Sequence, residues 1–150
     1  GVTEAGTPKI GVMKSAIGIG GLLAQGIGDT FRVTLTADPI EEVYVARDIL
    51  KAAGLRKEGP ELISCPTCGR TRVDLICMAQ EVEQRLKAIS KPITVAVMGC
   101  TVNGPGEASA ADVGIAGGDG TGLLFCRGKI IKKVPQEQLV DELFELIKTL

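Results

Sequence analysis

The chain has 150 residues, 45% of them hydrophobic, about one domain's worth of sequence and enough for a buried core. Lys and Arg number 17 against 18 Asp and Glu, so the basic excess typical of a general nucleic-acid binder is missing. Histidine and tryptophan are absent, which excludes Ser-His-Asp and Cys-His catalysis within the chain and any His-ligated zinc or haem.

The opening segment, Gly1-Val2-Thr3-Glu4-Ala5-Gly6, reads as the end of a strand running into a loop. Lys9 to Gly26 reads as a helix with apolar positions Ile10, Met13, Ile17, Leu22 and Leu23, weakened by its glycines. Its most apolar stretch, Ala16 to Ala24, is too short to span a bilayer. Phe31 to Thr36 alternates and is rich in β-branched residues, as a strand is. Asp38 as N-cap, Pro39 at the first helical position and Glu41 as capping-box partner predict a helix. That helix carries Val43, Ala46, Ile49, Leu50 and Ala53 on one face and stops at Gly54. Two βα units in succession are the grammar of a parallel sheet, and by themselves they close no barrel.

The charged stretch Leu55 to Pro60 marks a domain boundary. Beyond it the pattern predicts a strand over 61–64, a helix over 73–89 and a strand over 92–98. A glycine-rich loop follows over 99–107, then strands over 112–116, 122–126 and 129–134, and a helix over 136–149. This is an α+β unit with helices over a small mixed sheet.

Cysteine is the chemically loaded residue. There are five, an odd number, and no signal-peptide pattern opens the chain, so a reducing compartment and thiolate chemistry are expected rather than a disulfide framework. Cys65-Pro66-Thr67-Cys68 lets two sulfurs face one point. Cys100 opens a loop, Met98-Gly99-Cys100-Thr101-Val102-Asn103-Gly104-Pro105-Gly106-Glu107, whose glycines allow close approach to a bulky inorganic group. Three thiolates exceed a redox disulfide and fall one short of a four-ligand metal or iron–sulfur site. The fourth ligand is open between Cys77, Cys126, a carboxylate and an outside molecule; Cys77 and Cys126 read as small core residues, and Glu107 is the better placed. Thr3, Glu4, Arg32 and Thr34 stand at expected strand ends, where a βα barrel builds its site, and Arg32 suits a phosphate. Gly18-x-Gly20 lies inside a helix pattern and is discounted as a dinucleotide fingerprint. Two further readings compete: a structural zinc module completed by Cys77 or Cys126, and a thiol oxidoreductase using Cys65 and Cys68, which leaves Cys100 and Glu107 unexplained.

Taken together, Thr3-Glu4-Ala5-Gly6, Lys14-Ser15-Ala16-Ile17-Gly18, Gly26-Ile27-Gly28-Asp29-Thr30, Arg32-Val33, the Cys65–Cys68 motif and the Cys100–Glu107 loop resemble the 4-hydroxy-3-methylbut-2-en-1-yl diphosphate synthase family, an iron–sulfur oxidoreductase family of the methylerythritol phosphate route to isoprenoids. The resemblance implies a fragment: residues 1–57 as the last two βα units of a (βα)8 barrel of the TIM type, and residues 58–150 as a cluster domain similar to the α+β modules of sulfite and nitrite reductases. It implies a [4Fe–4S] cluster held by Cys65, Cys68, Cys100 and Glu107. Glu4, Asn103 and Glu107 would be catalytic, and Thr3, Arg32, Thr34 and Asn103 would bind substrate; Thr34 stands where the family usually has serine. The implied reaction is the two-electron reductive opening of 2-C-methyl-D-erythritol 2,4-cyclodiphosphate, with ferredoxin or flavodoxin as donor, in a cytoplasmic homodimer in which one chain's cluster domain covers the other's barrel. The fragment alone is expected to be inactive.

Overall fold

The computed structural model describes residues 1–102, 106 and 108–150. The chain divides into two compact units, Gly1–Glu58 and Gly59–Leu150.

In the first unit, α1 (Pro8–Ser15) runs on through a π-helical turn, Ala16–Gly20, into a last turn, Gly21–Leu23. The glycines weaken this helix without ending it, but of the expected apolar stripe only Leu23 faces inward. Ile19 and Leu23 are buried, whereas Ile10, Met13, Ile17 and Leu22 are exposed. The second helix, α2 (Pro39–Ala52), starts where its signals place it: the Asp38 carboxylate accepts the N–H of Ile40 at 3.0 Å. The reciprocal bond expected from Glu41 to the Asp38 N–H does not form among the described residues; Glu42 instead reaches past the cap, its carboxylate accepting the Leu35 N–H at 2.8 Å. Gly54, at φ +71°, closes α2 in the left-handed conformation, and Leu55 N–H returns to the Leu50 carbonyl.

The strand end expected within 1–6 and the strand expected at 31–36 form no sheet ladder among the described residues. The two segments do run side by side in the same direction: Thr34 Oγ1 donates to the Val2 carbonyl at 2.6 Å and Thr36 N–H to the Gly6 carbonyl at 3.0 Å. Two lone segments joined by so few bonds make no sheet, because strand geometry is stabilised by neighbours on each side. The unit's core is small: Ile19, Leu23, Val33 and Ile49, with Val2, Phe31, Leu35, Val45, Ala46 and Leu50 partly buried against them.

The second unit is a five-stranded sheet in the order β1-β2-β3-β4-β5 among the described residues. Its strands are β1 (Glu61–Ser64), β2 (Thr94–Met98), β3 (Val113–Ala116), β4 (Thr121–Cys126) and β5 (Lys129–Pro135). The first three are mutually parallel; β4 and β5 return antiparallel, which makes the sheet mixed as its pattern predicts. The α3 helix (Leu75–Leu86) crosses over from β1 to β2, and α4 (Leu139–Thr149) closes the unit after a 3-10 turn, Gln136–Gln138. Both helices cover one sheet face, where Leu75, Met78, Val82 and Leu86 of α3 and Leu139, Leu143, Phe144 and Ile147 of α4 join Val95, Val97, Val113, Ile115, Leu124 and Val134. Across the sheet a smaller cluster of Ala96, Met98, Ala108, Ala111, Ala116 and Phe125 forms the opposite layer. No helix of the described residues is long and apolar enough to cross a membrane.

Candidate metal centre

The parallel register of β1 and β2 pairs Ser64 with Val97, so Cys65 and the Gly99-Cys100 pair leave the sheet at the carboxyl ends of adjacent strands. The two loops are tied directly. Gly99 N–H donates to Cys65 Sγ at 3.2 Å, and Arg72 N–H donates to the Gly99 carbonyl at 3.0 Å. A side chain at Gly99 would bring its Cβ to 3.0 Å from Thr71 Cγ2 and 3.2 Å from Leu75 Cδ2, so those side chains would have to give way for anything but the bare backbone there.

The Cys65–Cys68 loop is braced from within. Cys68 N–H donates to Thr71 Oγ1 at 3.1 Å, and Thr71 N–H donates to the Cys68 carbonyl at 3.0 Å. The backbone N–H of Arg70, with help from Thr71, holds the Cys68 thiol below the ordinary thiol range. Cys68 is exposed, and Cys65 and Cys100 are half-buried. The depressed thiol of Cys68 favours thiolate, the form that binds soft metals. The donor set therefore fits a thiophilic centre. Among the described residues, however, no three Cys, Asp or Glu side chains converge as a ligand set. Asn103 and Glu107, expected at this site, lie outside the described residues.

The remaining two cysteines separate. Cys126 ends β4 and packs against the core, as expected of a small apolar residue. Cys77 does not: it is exposed on α3, because the helix buries the face of Leu75, Met78, Val82 and Leu86 instead. The Asp74 carboxylate, which caps α3 by accepting the Cys77 N–H at 3.1 Å, pushes the Cys77 thiol up. All five cysteines are free thiols.

Sequence reasoning passed over the residues just after Cys68. Arg70 and Arg72, with Cys100, Thr101, Val102, Gly118 and Asp119, line an open cavity of about 460 Å³. Its signal was the run Gly69-Arg70-Thr71-Arg72, basic residues on both sides of the hydroxyl that braces the loop.

In the first unit Thr3, Glu4 and Arg32 are exposed. Glu4 holds the left-handed conformation, φ +56°, uncommon outside glycine, and its carbonyl accepts Lys14 Nζ at 3.3 Å. Thr34 is half-buried and its hydroxyl proton is committed to Val2, which leaves its lone pairs for any ligand. Ser15, within the Lys14–Gly18 motif, is fully buried, its hydroxyl without a hydrogen-bond partner among the described residues.

Comparison with known proteins gives two family matches. Residues 61–149 match the GcpE protein C-terminal domain, and residues 1–47 match the GcpE TIM-barrel domain. Among curated relatives, the chain is 65% identical over its full length to 4-hydroxy-3-methylbut-2-en-1-yl diphosphate synthase (flavodoxin) of Clostridium perfringens, covering 43% of that protein. It is also 65% identical over 147 residues to the enzyme of the same name from Clostridium acetobutylicum, covering 98% of this chain and 42% of the relative. The counterpart from Caldanaerobacter subterraneus is 62% identical over 148 residues, again 42% of the relative and 99% of this chain. The chain thus spans less than half the length of these relatives.

Proposed function

The chain belongs to the GcpE family, and on that premise we propose that it is the C-terminal part of a reductase that converts 2-C-methyl-D-erythritol 2,4-cyclodiphosphate to 4-hydroxy-3-methylbut-2-enyl diphosphate. The observation that carries this reading is the pair of braced cysteine loops at the carboxyl ends of adjacent parallel strands, joined by the Gly99 N–H to Cys65 Sγ bond.

In this reading Cys65, Cys68, Cys100 and Glu107 hold a [4Fe–4S] cluster. When bound, the cluster supplies one-electron relay and a Lewis-acidic iron for a substrate oxygen. The chain's own residues do the rest. The Gly99 amide orients Cys65, and the Arg70 amide favours the thiolate of Cys68. Asn103 contacts the substrate. Arg32 binds the diphosphate, and Thr3 and Thr34 orient it through hydroxyls. Glu4 serves the reacting end as acid or base, its carboxylate presented by the left-handed turn that Lys14 ties down. Residues 1–57 belong to a (βα)8 barrel, and residues 58–150 form a cluster domain of the sulfite and nitrite reductase kind. The whole enzyme works as a cytoplasmic homodimer fed by flavodoxin or ferredoxin, and a reducing cytoplasm keeps its thiols free. The stretch of residues 1–150 alone is expected to hold the cluster without turning over substrate.

The test is anaerobic reconstitution with iron and sulfide, followed by metal and sulfide analysis. About four irons and four sulfides per chain, with a brown thiolate-to-iron absorption band, support the reading. Stoichiometric zinc without sulfide uptake overturns it in favour of a zinc module. A titratable dithiol that takes up no metal overturns it in favour of a thiol oxidoreductase.

A further inference from the structure

The reductase reading leaves open where electrons enter. We propose that the face carrying Arg70, Arg72 and Val102 is the docking surface for a protein electron donor that presents carboxylates around its own redox group. This inference rests on the function proposed above.

Three features of the face point the same way. First, it is cationic and accessible. Arg70 is exposed, and its guanidinium has no carboxylate in ion-pair range among the described residues. Arg72 has only a loose pair with Asp119, Nε to Oδ1 3.9 Å, with side chains 55% and 88% exposed. A pair that open to water is worth little, so Arg72 remains available to an incoming carboxylate. Second, Val102 stands 78% exposed on the same cavity wall. An apolar residue beside two cations is the composition of a small, transient protein interface, in which charge steers the encounter and a little apolar contact seats it. Third, the face adjoins the thiols. Arg70 and Arg72 follow Cys68 directly, Arg72 is fixed to the Gly99 carbonyl at 3.0 Å, and Cys100 itself lines the cavity. With Cys68 exposed, a donor seated here reaches a ligand-bearing loop without crossing the core.

The rival occupant is the substrate's diphosphate. Two observations disfavour it: Asp119 in the wall repels a small polyanion, and Val102 offers it nothing. A protein partner can set a cation against Asp119 and an apolar side chain against Val102. Each docking would pass one electron. Two dockings then balance the net reaction for the free acids, in which the cyclic diphosphate plus two electrons and two protons gives the hydroxymethylbutenyl diphosphate plus one water.

The experiment uses the full-length, cluster-loaded enzyme with reduced flavodoxin, and in parallel with dithionite and methyl viologen. The Arg70→Gln/Arg72→Gln enzyme is expected to raise KM for flavodoxin about tenfold at low salt, with the difference shrinking as ionic strength rises. Its KM for flavodoxin rises by more than any change in its viologen-driven rate or its KM for the cyclic diphosphate, because both substitutions keep the backbone amides that brace the thiol loops. Calorimetric titration with oxidised flavodoxin gives the same loss of affinity, independent of turnover. Arg70→Gln alone, at an exposed side chain, is the second variant should the double change impair folding, and a loss of about threefold is expected. Unchanged flavodoxin affinity overturns the proposal. So does a KM for the cyclic diphosphate that rises equally with both reductants, which would make the face a substrate subsite. A wild-type enzyme inactive even with viologen would sink the reductase reading, while the titration would still decide whether flavodoxin binds here.

Discussion

The two units show what separates a fold that closes on itself from one that does not. The second unit sandwiches its sheet between two helices and an opposite apolar layer, and Val82, Val95, Val97, Val113, Ile115, Leu139 and Leu143 lose essentially all contact with water. The first unit has two well-formed helices but a core of four buried residues, while Ile10, Met13, Ile17, Leu22, Val43 and Tyr44 stay exposed. Regular helices are therefore no sign of a finished core. Helix signals are local, whereas burial needs a second layer to supply the other wall.

The sharpest way to break this contrast is to separate the units. Residues 59–150 alone are expected to melt in one cooperative transition, whereas residues 1–58 alone should show helical circular dichroism with no cooperative melt. A cooperative melt of the shorter piece would remove the distinction. Next in size, Leu143→Ala opens a cavity in the second unit and should cost about 2–5 kcal/mol by denaturant titration. Gly114→Ala should cost about 1–3 kcal/mol, because the new Cβ would lie 2.4 Å from Phe125 Cζ and 2.8 Å from Ala96 Cβ.

A smaller effect lies at the start of α3, and it depends on pH. The Cys77 N–H, accepted by Asp74, holds that carboxyl below its ordinary range. A carboxyl depressed in the fold contributes its stability above the unfolded pKa and loses it as pH falls through the folded one. Asp74→Ala should thus lower Tm near neutrality, by less than either core change, and the difference from wild type should vanish in acid. The same pair predicts thiol order: with metal absent, Cys68 is alkylated from lower pH than Cys77, because Asp74 raises one thiol and the Arg70 amide lowers the other. Smallest of all, Ile17→Ser at a 78% exposed position should leave the melting curve within about 0.5 kcal/mol of wild type.

The second unit was largely legible in the sequence. Its strands alternate or run fully apolar, and its helices carry apolar stripes, so each element appears within a few residues of its expected place. The first unit was legible only in its helices. Asp38, Pro39 and Gly54 act locally, through a cap bond or a backbone conformation of their own, and could be read directly. Phe31 to Thr36 has a strand's composition, yet a ladder depends on partners elsewhere, and only the neighbouring segment at Val2–Gly6 meets it. Cys77 was misread for a related reason. Cys77 and Ile76 sit one residue off the stripe that α3 buries, and only the sheet beneath fixes which stripe that is.

By itself, then, the sequence determined the local grammar and the chemistry on offer: helix caps, strand runs, the spacing of Cys65 and Cys68, the loop of Cys100, and the absence of histidine. These depend on residue type and on neighbours a few positions away. Only the tertiary structure decided which thiols come to one end of a sheet, which one capped helix turns outward, and that Arg70 and Arg72 share a cavity with Cys100. Those outcomes follow from strand register and helix docking, which join residues about thirty positions apart through backbone pairing and shared burial rather than through any pattern in the chain between them.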